Sequence, residues 1–73
     1  MAKDVCKGIR IAGTSNDSFS KAIEVAVERA SKTIRELRWF EVTEQRGAVR
    51  DGKIEYQVTL EVFFKLQSDD SAD

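Results

Sequence analysis

The 73-residue chain has no histidine, one cysteine and one tryptophan, and each shortage removes a class of chemistry. Without histidine there is no Ser-His or Cys-His pair for nucleophilic catalysis. A lone Cys6 forms no internal disulfide and, with no histidine or second cysteine, builds no zinc site of the usual kind. No apolar run approaches the roughly 20 residues that span a bilayer, and "MAKDVCKGIR" lacks the long apolar core of a signal peptide. Twelve basic and 13 acidic residues leave a formal charge of -1, so no global field draws the chain to nucleic acid or to an anionic membrane. "KGIRIAG" has two glycines but not the pattern of a phosphate-binding loop. A cytoplasmic protein without metal, membrane or nucleic-acid partners is expected, and the free thiol fits a reducing compartment.

What is present describes one domain over residues 1–73, with 41% hydrophobic and 34% charged residues. A chain of this size buries only about 60% of the surface its unfolded form exposes, so small domains usually need a disulfide, a metal or oligomerisation. The inventory leaves oligomerisation.

"DVCKGIRIAG" alternates Val5, Ile9 and Ile11 on one side, interrupted by Lys7, and reads as a first strand ending at Gly13. Thr14, Ser15, Asn16 and Asp17 follow, short side chains that cap helix starts. From Phe19 an apolar stripe runs through Ala22, Ile23, Ala26, Ala30, Ile34 and Leu37 at helical spacing, with Glu28 and Lys32 set for an i,i+4 pair. This predicts a helix over about residues 17–36. A second strand is expected from Arg38 to about Gln45. The turn signal "RDGK" then leads to a third strand, in which Ile54, Tyr56, Val58, Leu60, Val62, Phe64 and Leu66 alternate with Glu55, Gln57, Thr59, Glu61, Phe63 and Lys65. Its thirteen residues span roughly 43 Å, more than one helix of about 20 residues covers, so part of it should be buried by other subunits. The acidic tail, about residues 68–73, is expected to fray.

The tryptophan lies in "ELRWFEVTEQRG", where alternation sends Phe40 and Val42 to one face and Trp39 to the other with Glu41, Thr43 and Gln45. A plain two-residue hairpin at Asp51-Gly52 would set Val42 opposite Glu61, and the apolar faces of the two strands would disagree. A longer loop or a bulge, with Gly47 the candidate, restores agreement by moving the register one residue. Trp39 then joins the face of Gln57, Thr59, Glu61 and Phe63.

Among candidate chemical groups, Cys6 reads as a partly buried small hydrophobe. Glu41, Glu44, Glu55 and Glu61 read as solvated or subunit-contact charges. Trp39, Gln57 and Arg46 are more informative. An indole face stacks on a flat aromatic ligand, an amide offers a donor beside an acceptor, and a guanidinium binds carbonyl or phosphate. Together they suit a planar heterocycle with a polar edge. The same residues also suit an interface, with Trp39 as its anchor.

In order and spacing, "GTSNDSF", "AVERASKTIRELRWFEVTEQRGAV" and "YQVTLEVFFKL" resemble the dodecins, small flavin-binding proteins, over nearly the whole chain apart from its first residues and acidic tail. The resemblance implies an α+β fold, a β-α-β-β subunit whose three-stranded antiparallel sheet wraps around one helix, with subunits assembled as a hollow homododecamer. It implies flavins bound in pairs in the shell's channels. Trp39 would stack on the isoalloxazine and Gln57 would hydrogen-bond its polar edge. Arg46 would lie near the flavin, and Gln45 and Glu44 match positions near the same channel. The expected cofactor-binding residues are therefore Trp39, Gln57, Arg46 and Gln45. The implied role is storage or buffering of riboflavin or FMN, with FAD and lumichrome as further candidates, and quenching of the flavin's excited state rather than catalysis. The alternative is a structural shell or a coenzyme A-binding assembly in which flavin is incidental.

Overall fold

A computed structural model describes residues 4–66. The elements are β1 (Cys6–Ser15), α1 (Phe19–Ser31), β2 (Leu37–Arg50) and β3 (Lys53–Lys65). They form the β-α-β-β arrangement, with one antiparallel sheet in the order β1-β3-β2. The tail expected to fray lies outside the described residues.

The helix packs chiefly on β1 and β3. Its buried positions are small: Ala22, Ala26 and Ala30. They let the helix approach the sheet closely, over a core of Val58, Leu60 and Val62 in the central strand, flanked by Ile9, Ile11, Phe19, Ile23, Val27, Ile34 and Leu37. The approach is closest at Gly13, where a Cβ would stand 2.3 Å from the Ala22 carbonyl oxygen and 2.8 Å from the Ala26 Cβ.

The helix is shorter than its stripe predicts. It starts at Phe19 because Ser18 is the N-cap, its hydroxyl accepting from the Lys21 N–H at 3.0 Å. The upstream polar cluster has other partners: the Ser15 hydroxyl accepts from the Asp17 N–H, and the Asn16 amide donates to the Ile54 carbonyl. At the other end, the N–H groups of Thr33 and Ile34 both reach back to the Ala30 carbonyl. Glu36 then takes φ 63°, and its carbonyl accepts from the Lys65 N–H, tying the turn to β3. Lys32 is the C-cap, and Ile34 reaches the core from this turn and Leu37 from the first position of β2, rather than either from the helix. The helical ion pair is Lys21 with Glu24, 3.7 Å apart and exposed, rather than the expected Glu28 with Lys32.

Asp51 and Gly52, at φ 50° and 75°, form the two-residue turn that matches strand twist, and Arg50 pairs with Lys53. The uniform register continues without interruption through Gly47–Tyr56 to Glu44–Thr59. The bulge is therefore not at Gly47. It falls between Val42 and Glu44, with Thr43 as the extra residue and its hydroxyl donating to the Thr59 carbonyl at 3.1 Å. Beyond it, Val42 pairs with Leu60 and Phe40 with Val62, and a second irregularity lies between Leu37 and Trp39. β2 also continues to Arg50, past the expected end near Gln45.

Since α1 covers β1 and β3, the helix side of β2 is left open. Phe40 and Val42 point the same way as buried Leu60 and Val62 yet remain 44% and 39% exposed. The hairpin end overhangs further, with Val49 75% and Ile54 50% exposed, in a molecule extending 56 Å along its longest axis. Among the described residues no helix is long and apolar enough to cross a membrane. The Gly13 contact carries a direct test. Gly13→Ala must push α1 from the sheet and should cost about 2 kcal/mol of unfolding free energy, measured by urea denaturation.

Candidate ligand-binding face

The sheet face turned from the helix is polar apart from one aromatic pair. Because paired residues in an antiparallel ladder share a face, the register aligns successive rows across β1, β3 and β2. These are Gly8–Phe63–Trp39, Arg10–Glu61–Glu41, Ala12–Thr59–Glu44 and Thr14–Gln57–Arg46. The Thr43 bulge sets this composition. It puts Glu44 and Arg46 on the face of Trp39, and puts Gln45 opposite Val58 on the helix side. Within one copy, then, Trp39, Gln57 and Arg46 share a face, and Gln45 lies on the other.

Trp39 is 47% exposed. Its ring lies against that of Phe63, centroids 4.6 Å apart and planes within 12° of parallel. β2 is an edge strand and β3 the central one, so Phe63 covers the indole from the sheet's interior and the opposite indole face turns toward the free edge. Alternation along β3 marked Phe63 as the one large apolar side chain on a polar face. That position is the sequence signal for this pairing, and it is absent from the expected site residues Trp39, Gln57, Arg46 and Gln45.

Gln57 is held at both ends of its amide. Its Oε1 accepts from Arg46 Nε at 2.7 Å, and its Nε2 donates to Glu55 Oε1 at 2.9 Å. Arg50 in turn lies 3.7 Å from Glu55. The network fixes which amide end is donor and which acceptor, and leaves one N–H and one oxygen lone pair free. Glu55, which positions Gln57, reads from sequence only as a solvated or subunit-contact charge. Gln57 and Phe63 are six residues apart on β3, so about 20 Å of strand separates the amide from the aromatic pair.

The remaining features are plainer. Glu41 and Glu61 are cross-strand neighbours on this face, but no group of three or more His, Cys, Asp or Glu suited to a metal occurs among the described residues. Cys6 is free and partly buried. A groove of about 520 Å³ lies elsewhere, between β1 and α1, lined in part by Ile9, Ile11, Val25 and Ile34; its lining carries no grouping of polar side chains comparable to the Arg46–Gln57–Glu55 network.

Comparison with known proteins places this architecture. The dodecin family profile matches residues 5–67. The dodecin of Thermus thermophilus is 47% identical over 64 residues, covering 86% of this chain and 93% of that protein. The calcium dodecin of Mycobacterium tuberculosis is 44% identical over 64 residues, with 86% and 90% covered. Among solved structures, the dodecin of Streptomyces davaonensis superposes with a TM-score of 0.87 at 40% identity, covering 92% of this chain and all of that one. The calcium dodecin superposes with a TM-score of 0.80 at 42% identity, covering 89% and 94%, and is described with a calcium-binding site. With the profile spanning nearly every described residue and the relatives covered almost end to end, this chain belongs to the dodecin family.

Proposed function

We propose that the protein binds and buffers flavins, riboflavin or FMN among them, by stacking the isoalloxazine on Trp39, as an oligomer in the cytoplasm. The single observation that carries this reading is the half-exposed indole backed on one side by Phe63 and open on the other. An aromatic surface held still in this way is suited to a flat ring. The pyrimidine edge of an isoalloxazine presents an N–H beside a carbonyl, the complement of the acceptor and donor left free on Gln57. Arg46 adds a cation beside that edge and suits a carbonyl or a phosphate tail.

The roughly 20 Å between Trp39 and Gln57 along one sheet favours a composite site, with the indole of one copy and the amide of another on the same ligand. The open indole face turns toward the free edge of β2, and the uncovered Phe40 and Val42 lie on that same strand, so a neighbouring copy has an apolar surface to bury there. A closed assembly of twelve copies of 8.2 kDa would have a mass of roughly 98 kDa. Gln45, on the helix side of β2, would serve the ligand only from such a neighbour.

The role is binding rather than turnover. An indole stacked on an excited isoalloxazine would donate an electron to it, and return of that electron to the indole would bring both rings back to their ground states and limit photochemistry. The alternative, a shell or coenzyme A-binding assembly with incidental flavin, rests on the uncovered face of β2 and predicts no quenching. Calcium, bound by the M. tuberculosis relative, has no cluster of three or more candidate ligands within one copy here among the described residues.

Riboflavin fluorescence should fall on titration and saturate near one flavin per chain. Trp39→Ala should restore the fluorescence and weaken binding 10- to 100-fold, with light scattering unchanged; unaltered quenching in that variant would contradict the stacking assignment. Phe40→Asp with Val42→Asp should dissociate the assembly, seen as a fall in scattered mass toward the single chain. Co-refolding Trp39→Ala chains with Gln57→Ala chains should recover part of the quenching that each lacks alone, whereas no recovery would place both groups in one copy.

A further inference from the structure

We propose that Phe63 is a positioning residue for Trp39, seated on Gly8, and that it decides which indole face receives a ligand. The inference deepens the flavin-binding reading and rests on it for the ligand, but the ring placement stands on geometry alone.

Gly8, Phe63 and Trp39 form a single row across the three strands. A Cβ at position 8 would lie 2.6 Å from Phe63 Cε2, 2.8 Å from Glu61 Oε2 and 3.0 Å from Phe63 Cδ2; the carboxylate ends a flexible side chain and can swing aside, whereas the ring must leave its seat. The Phe63 ring therefore stands over the bare backbone of β1, in space that any other residue at position 8 would fill. From there its other side meets the indole at 4.6 Å, nearly parallel. A tryptophan on an edge strand with a free side chain would sample several staggered rotamers. Flanked by Phe63, the indole loses the rotamers that lean over the sheet and keeps the one that stands beside it. Two consequences follow for a flat ligand. It approaches only from the β2 edge, since the inward indole face is occupied, and it meets a ring already in its bound orientation, which lowers the ordering cost of binding. One indole then serves one ligand, and a ligand sandwiched between Trp39 and the sheet centre is excluded.

Trp39 is the only tryptophan, so its near-ultraviolet circular dichroism reports its immobilisation in ligand-free protein. Phe63→Ala should abolish most of that signal with the far-ultraviolet spectrum and the scattered mass unchanged, and should weaken riboflavin binding three- to tenfold. Phe63→Tyr should restore both, and Phe63→Leu, which keeps bulk without a ring and serves if the alanine variant fails to fold, should restore neither. Gly8→Ala should act like Phe63→Ala, and should add nothing once Phe63 is alanine. In a Trp39→Ala background Phe63→Ala should leave residual binding unchanged. The proposal is overturned if Phe63→Ala and Phe63→Leu both keep the tryptophan signal, or if Phe63→Ala weakens binding equally with and without Trp39. If the wild-type protein fails to quench riboflavin while Phe63→Ala still loses the tryptophan signal, flavin falls as the ligand and the ring-holding role of Phe63 stands.

Discussion

The extra residue at Thr43 is the constraint on which the face chemistry depends. The Asp51-Gly52 turn fixes one register by its geometry, and the buried side chains of β3 require another. A strand cannot satisfy both without breaking step, because a one-residue slip exchanges its two faces. Breaking step at Thr43 puts Phe40 and Val42 beside Val62 and Leu60, Trp39 beside Phe63, and Arg46 beside Gln57. The Thr43 hydroxyl bonded to the Thr59 carbonyl holds the irregularity in place. A bulge at Gly47 would have given the same apolar alignment near Trp39 but would have kept Gln45 on the tryptophan's face.

A second constraint is the reach of the helix. Thirteen residues of α1 rise about 20 Å, against two strands of thirteen and fourteen residues that extend about twice as far. The small residues that bring α1 close to Gly13 also draw it over β1 and β3. The cost falls on β2 beyond Leu37, where Phe40, Val42 and Val49 stay exposed within one copy. A domain this small has little core to spare, and covering that strand with another copy adds buried area while leaving the aromatic pair at the rim. On the proposed reading, assembly and ligand binding would both draw on the same edge strand.

The sequence was most legible where periodicity and turn chemistry act locally. The alternation of β3, the two-residue turn at Asp51-Gly52 and the alanine stripe of α1 were each readable because one face is buried and one turn type fits. The helix end was less so: Ile34 and Leu37 continue the stripe in sequence, but Ile34 reaches the core from a turn closed by the Ala30 carbonyl and by Glu36 in the left-handed region, and Leu37 from the start of β2. The position of the bulge depends on a side-chain hydrogen bond across strands, which strand pattern does not encode. The shared face of Trp39 and Phe63 was legible from the hairpin register, but the stacking of their rings and the hydrogen bond of Gln57 with Glu55 depend on side-chain conformations that strand pattern does not encode.

A crystal structure of the protein with riboflavin would show directly whether, as proposed, Trp39 offers one face to a flavin at the β2 edge. The isoalloxazine is expected parallel to the indole on the side away from Phe63, with its pyrimidine edge on a Gln57 amide belonging to a different copy. An isoalloxazine bound away from Trp39, or inserted between Trp39 and Phe63, would contradict it.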